Sequence, residues 1–197
     1  MHHHHLKHWV ALWGLLALVS GCASAPSRFY TLSAESAATP SSSNLSVVVG
    51  PVSVPASVDR PEIVVSTGPN RLRLEELDRW ASPLQDEIAR AVAENLIGML
   101  HTPHVTLASQ DLGAGARYRV VIGVQKLESM LGEAAALDAA WSVRRTKDRK
   151  TITGRTTVRE TLRKPGYEAL VAAHSRTVAR LSRDIANAIR SLERSAS

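Results

Sequence analysis

Aromatic residues make up only 4% of this 197-residue sequence, and it holds one cysteine and one phenylalanine. A lone thiol excludes an intrachain disulfide, so the fold rests on packing alone. Scarce aromatics imply a core of aliphatic side chains. The motifs of several enzyme classes are also missing. There is no G-x-S-x-G elbow, no phosphate-cradling loop ending in Gly-Lys-Ser/Thr and no H-E-x-x-H helix. Gly113-Ala114-Gly115 precedes a β pattern instead of following one, which reads as a loop and not a dinucleotide fingerprint. The expectation is a chain without catalytic machinery, metal or cofactor.

The apolar run Trp9 to Val19 (WVALWGLLALV) has 11 residues. That is too short to cross a hydrocarbon layer, which needs about 20 helical residues. Lys7 and neighbouring histidines precede it, and Val19-Ser20-Gly21-Cys22 closes it. This layout matches a secretory leader and resembles the lipobox of bacterial lipoproteins, with residues 1–21 removed and Cys22 carrying diacylglycerol and an N-acyl chain. His2 to His5 would leave with that leader. Removing 21 residues leaves 176, enough for one domain. Of the net charge of +6, Lys7 accounts for one, leaving +5 on the mature part. A basic surface suits nucleic acid or anionic headgroups, and export argues against nucleic acid. Ala23 and Ser24 follow the cysteine where Asp would favour inner-membrane retention. The expected location is the periplasmic face of the outer membrane, held by lipid.

Residues 33–44 are rich in Ser, Ala and Pro and read as a tether, so residues 22–44 are expected to form a lipidated N-terminus with a flexible link and residues 45–197 the folded domain. Leu45 to Val54 reads as the first strand, broken at Gly50-Pro51. Ile63 to Thr67 and Arg71 to Leu74 flank a Gly68-Pro69-Asn70 turn as a hairpin. Ser82 reads as a helix N-cap with Pro83 at the first helical position and Asp86 and Glu87 favouring the positive helix end. Leu84, Ile88, Val92, Leu96 and Leu100 then mark one helical face. A short strand at His104–Leu107 follows. Period-two alternation around Tyr118–Val124, Leu137–Val143 and Ile152–Leu162 predicts an antiparallel meander. Val171, Val178, Leu181, Ile185 and Leu192 predict a long terminal helix. The fold class is α/β: a mostly antiparallel mixed sheet covered by two long amphipathic helices, in a single layered domain after the leader.

Two histidine arrangements invite a metal reading. His101 and His104 flank Pro103 without a third ligand nearby, so a satisfied or exposed histidine is the better reading for each. His174 lies beside an apolar stripe, as a packed neutral imidazole does. Arg144, Arg145, Lys147, Arg149 and Lys150 form a dense basic tip between two strands. It is either a solvated hairpin tip or a contact for anionic headgroups or an acidic partner surface. Arg176, Arg180, Arg183, Arg190 and Arg194 read as a wet face of the last helix.

Several segments together resemble the ABC-type transport auxiliary lipoproteins, the PqiC/YmbA-like family. They are Phe29-Tyr30-Thr31-Leu32, Val47 to Pro55, Val58-Asp59-Arg60-Pro61-Glu62-Ile63-Val64, Asn70-Arg71-Leu72, Arg79-Trp80-Ala81-Ser82-Pro83-Leu84 and Ala93-Glu94-Asn95-Leu96. After residue 100 the likeness rests on element order and on Leu137-x-Ala139-x-Trp141. The resemblance implies a non-enzymatic docking subunit that accompanies an MCE-domain periplasm-spanning protein and a membrane permease, moving lipid between inner and outer membranes. Asp59, Arg60, Arg79 and Trp80 combine charge with a large ring, a composition favoured at interfaces. Equally, Asp59 and Arg60 tie a strand entrance to its neighbours and Trp80 staples the helix start. A tubular partner fits a cyclic homo-oligomer. The alternative is a stand-alone lipid-binding or envelope-structural lipoprotein, which requires an apolar cavity of ligand size.

Overall fold

The computed structural model describes residues 25–35, 43–110 and 115–195. Eight strands and two long helices follow in order: β1 (Arg28–Tyr30), β2 (Val47–Ser53), β3 (Glu62–Gly68), β4 (Arg71–Trp80), α1 (Leu84–Leu100), β5 (Val105–Leu107), β6 (Tyr118–Met130), β7 (Ala134–Arg145), β8 (Thr151–Thr161) and α2 (Tyr167–Arg194). The expected α/β class holds, as two mixed sheets. One has five strands in the order β5-β2-β6-β7-β8, and the other has three in the order β1-β4-β3. Alternation alone cannot tell which strands pair, because pairing is a long-range choice.

The larger sheet is the meander β6-β7-β8 extended by parallel β2 and β5. Its helix-facing side buries Tyr118, Val120, Ile122, Leu137, Ala139 and Val143. Trp141 lies on that side too, and a Cβ at its cross-strand neighbour Gly154 would come within 2.3 Å of the indole. Only glycine leaves room for the ring there. Strand β2 passes through Gly50-Pro51 with a register shift between Val49 and Val52, so this step is an irregularity within the strand and not its end.

Three boundaries differ from the sequence reading. Strand β4 runs on to Trp80, past the Arg71–Leu74 run read from the sequence and through a register shift against β3. The N-cap of α1 is Pro83, one residue later than expected, and no side chain caps it; helix ends commonly differ by such a step. Third, the folded body begins at β1, inside the segment assigned to the tether. Of that segment, residues 36–42 lie outside the described residues, as do the leader and Cys22.

Helix α2 buries Leu170, Val178, Leu181, Ile185, Ile189 and Leu192. Fully burying one such side chain stabilises by about 1.5–3 kcal/mol. A surface ion pair contributes about 0–1 kcal/mol, so the apolar row holds the helix down. Its arginines are not all wet. Arg176 reaches Glu160 at 3.0 Å and the Thr161 carbonyl at 2.7 Å.

Candidate docking surfaces

The N-terminal segment is strapped to the domain by buried acceptors. Strand β1 pairs in parallel with the end of β4, setting Arg28 opposite Asp78 and Tyr30 opposite Trp80. Asp78 is buried and accepts from Arg28 Nε (2.8 Å) and Nη2 (2.7 Å) and from the Tyr30 hydroxyl (2.8 Å). Burial and the bond to Asp78 push the Tyr30 phenol up to about 12. Next along, Glu87 Oε2 accepts from Thr31 Oγ1 (2.8 Å), the Leu32 amide (2.9 Å) and Arg90 Nη2 (2.7 Å). The Leu32 side chain enters the core. The Ser33 amide donates to Ser175 Oγ and the Glu35 amide to Asn95 Oδ1.

Glu87 is only 2% exposed, and its role goes beyond the favourable charge at the helix start that the sequence suggested. Burial on its own raises a carboxyl pKa, but hydrogen bonds from Thr31, Arg90 and the Leu32 amide outweigh it, and the net shift is downward. The overlooked clue is spacing. Glu87, Ala91 and Asn95 form a second inward row on α1 beside the leucine row, and polar residues on such a row need partners.

The motif residues singled out from the sequence converge beside this strap. Asp59, Arg60, Pro61, Trp80, Ala81, Ser82 and Pro83 line one depression of about 340 Å³. The Pro61 carbonyl accepts from the Trp80 amide at 2.7 Å, and the Tyr30 carbonyl from the Ala81 amide at 2.8 Å. Three segments far apart in sequence are thereby laced together. Trp80 is 4% exposed and meets the His174 ring edge-on at 6.1 Å, which is a packing role. Arg79 pairs with Glu62 at 3.0 Å. Asp59 and Arg60 are exposed, and their side chains form no ion pair among the described residues.

Helix α2 separates the strap from the basic tip. Tyr167, its first residue, stacks near Tyr30 at 6.3 Å and under the Arg28 guanidinium. Near its other end Leu192 accepts from Arg145 Nη1. At about 1.5 Å per residue those contacts lie roughly 40 Å apart. Arg145 must be removed from the tip's exposed cations. Its side chain is buried, chelates Asp148 at 3.0 and 2.6 Å and satisfies a helix-end carbonyl. That bond, opposed by burial, holds the Asp148 carboxyl well below the usual range. Arg144, Lys147, Arg149 and Lys150 are exposed. Exposed Arg119 stands directly across from Arg144 on β6, a like-charge neighbour absent from the sequence reading because it depends on register.

The histidines resolve individually. His174 is buried with Nε2 2.8 Å from Ser129 Oγ, and burial pushes it down to about 4, as expected of a packed neutral ring. His101 ends α1 in the left-handed region at φ 51°, its amide bonded to the Ile97 carbonyl. Among the described residues no group of three potential metal ligands gathers, and no helix is long and apolar enough to cross a membrane.

Comparison with known proteins agrees with this architecture. The chain resembles a crystal structure described as an uncharacterized protein, at 22% identity and a TM-score of 0.69 over 84% of this chain and 99% of the other. A Xanthomonas campestris protein from a family of unknown function matches at 17% identity and a TM-score of 0.64, over 86% and 100% of the two chains. These likenesses speak to the fold. No curated protein matches. Residues 30–186 match the family described as the ABC-type transport auxiliary lipoprotein component, from the strap through most of α2, and the chain belongs to that family.

Proposed function

We propose that this auxiliary component is a non-catalytic, lipid-anchored adaptor in an MCE-type lipid transport system between the inner and outer membranes. Cys22, acylated, holds it to the periplasmic face of the outer membrane. The six residue steps from Cys22 to Arg28 reach at most about 20 Å, so the strapped end stays near the leaflet. The observation that carries the reading is the separation of this strap from the exposed cations by the length of α2. One end is built for the membrane, and the other presents Arg119, Arg144, Lys147, Arg149 and Lys150 away from it. An acidic face of an MCE-domain periplasm-spanning protein, with its permease beyond, suits those cations better than the anchoring headgroups do. Asp59 and Arg60 supply a second polar contact beside the strap.

The test is co-purification of detergent-solubilised protein with an MCE-domain partner. Reversing charge at Arg119, Arg144, Lys147 and Lys150 together should weaken capture at least tenfold, and raising salt should weaken the parent complex in the same direction. Equal capture by parent and variant would discard the adaptor geometry. Palmitate labelling that is unchanged by Cys22→Ser would discard the anchor.

A further inference from the structure

We infer that the exposed leucines of the β3–β4 hairpin, together with Phe29, seat the domain against the same leaflet that carries its lipid anchor. This rests on the anchored reading above and adds a surface to it.

Among the described residues five large hydrophobic side chains are exposed: Phe29 (66%), Leu72 (56%), Leu74 (44%), Leu77 (38%) and Val121 (37%). All but Val121 belong to the three-stranded sheet. Scattered exposed apolar residues need no explanation, but several on one small element mark an interaction surface. The sheet also leaves backbone open there. Strand β1 covers β4 only at Asp78–Trp80, so among the described residues no strand lies along that side of Arg71–Leu77. An open edge bearing leucines is what soluble proteins usually avoid.

The choice of occupant follows from where the anchored chain enters. Strand β1 runs parallel to β4, with Arg28 opposite Asp78. The chain preceding Arg28 therefore approaches from the Arg71–Leu77 end of β4, and only six residue steps separate it from Cys22. With a reach of about 20 Å, a lipidated cysteine cannot carry its leaflet far from these leucines. The flanking charges agree. Arg71 and Arg73 alternate with Leu72 and Leu74, an arrangement suited to headgroups above and acyl chains below. Ion pairing of Arg73 with Glu75 at 2.5 Å leaves Arg71 as the cation available to headgroup phosphate.

The parent chain has no thiol besides Cys22, and acylation blocks that one. Leu72→Cys, Leu74→Cys and Val121→Cys therefore each create a single site for a nitroxide label in the full lipidated protein. The labelled proteins are reconstituted in phosphatidylethanolamine/phosphatidylglycerol vesicles, and collision with oxygen is compared with collision with a water-soluble nickel chelate. Labels at 72 and 74 should favour oxygen several-fold more than the label at 121. Equal nickel access at all three positions overturns the seat. Shielding of 72 and 74 from both reagents also overturns it, because it indicates protein there, either a second copy or a partner. The mass of the Cys22 peptide separates the two layers of the argument. An unacylated Cys22 removes the anchor and the seat with it, whereas an acylated Cys22 with water-exposed labels removes the seat alone.

Discussion

The two sheets treat their exposed surfaces in opposite ways. Away from its Arg119–Arg144 end, the solvent face of the five-stranded sheet is polar and largely self-neutralising: Arg155 pairs with Asp138, Arg159 with Glu133, and Lys126 with Glu128. Its outer strand β8 shows Thr153, Arg155, Thr157 and Arg159 to water, the kind of edge that resists pairing with other chains. The three-stranded sheet shows leucines instead and, among the described residues, leaves one edge of β4 unpaired over Arg71–Leu77. Both belong to one chain with one core, so the contrast is not a matter of overall composition. Away from its basic tip the large sheet is finished as a surface, while the small one is finished only when something lies against it.

Breaking the join between the small sheet and α1 should have the largest effect. Glu87→Ala leaves the Thr31 hydroxyl, the Leu32 amide and part of the Arg90 guanidinium without their acceptor. Of these donors only the Leu32 amide is buried, and leaving it without an acceptor costs about 1–3 kcal/mol. The expected result is a large drop in the urea midpoint, with backbone exchange accelerated at residues 28–35 more than in β6–β8. Glu87→Gln keeps one acceptor oxygen and should fall between the two. Uniform exchange across both sheets would mean that the strap is not held separately.

The matching break in the large sheet is Gly154→Ala. The added carbon would lie 2.3 Å from Trp141, whose indole is held by a hydrogen bond to Thr156 and, through it, to Asp184. Overpacking of this kind costs about 1–3 kcal/mol. Thermal melting should show it, together with a change in tryptophan fluorescence. Trp141→Ala combined with Gly154→Ala should cost less than the sum of the two single changes.

Acid tests both joins in different windows. Burial lowers the His174 imidazole from 6.5 to about 4, so the unfolded chain binds a proton that the folded one refuses. This contribution is complete above about pH 6.5 and fades as pH falls toward 4, by about 3 kcal/mol at most. Glu87, lowered from 4.5, contributes above that value and loses its contribution below it. Stability should therefore begin to fall near pH 6.5, and His174→Gln should flatten the curve down to about 4.5. A slope that survives this variant would assign the titration elsewhere.

Much of the large sheet was legible because period-two alternation is a local property: β6, β7, β8 and the leucine row of α1 follow from neighbours in sequence. The small sheet was not. Phe29-Tyr30-Thr31-Leu32 offers too few residues to show a period, and its partners Asp78 and Glu87 lie about fifty positions away. A register shift also interrupts β4 where it passes from Leu74 to Trp80, which hides its continuation. Among the candidate site residues, Arg145 and Trp80 had the right chemistry for an interface but were drawn inward, the first to satisfy a helix end and the second to pack on His174. Sequence shows that a residue is cationic or aromatic. It does not show whether an acceptor waits beneath it.

The smallest effect on stability separates an unfinished surface from a defective one. Leu72→Ser and Leu74→Ser remove side chains that the folded chain leaves about half exposed, so each should change unfolding by about 1 kcal/mol or less. Aggregation of the unlipidated domain should decrease, because the open edge loses its adhesive side chains. In the lipidated protein on vesicles the same changes should leave anchoring intact, since the acyl chains dominate it, yet increase the rotational freedom of the body. Fluorescence anisotropy from a dye on β8 (Thr157→Cys) reads that freedom. Faster rotation without loss of binding would show that the leucines orient the body and the lipid retains it. If both leucine changes destabilised the soluble domain by several kcal/mol, they would belong to the core, and the contrast between the sheets would vanish.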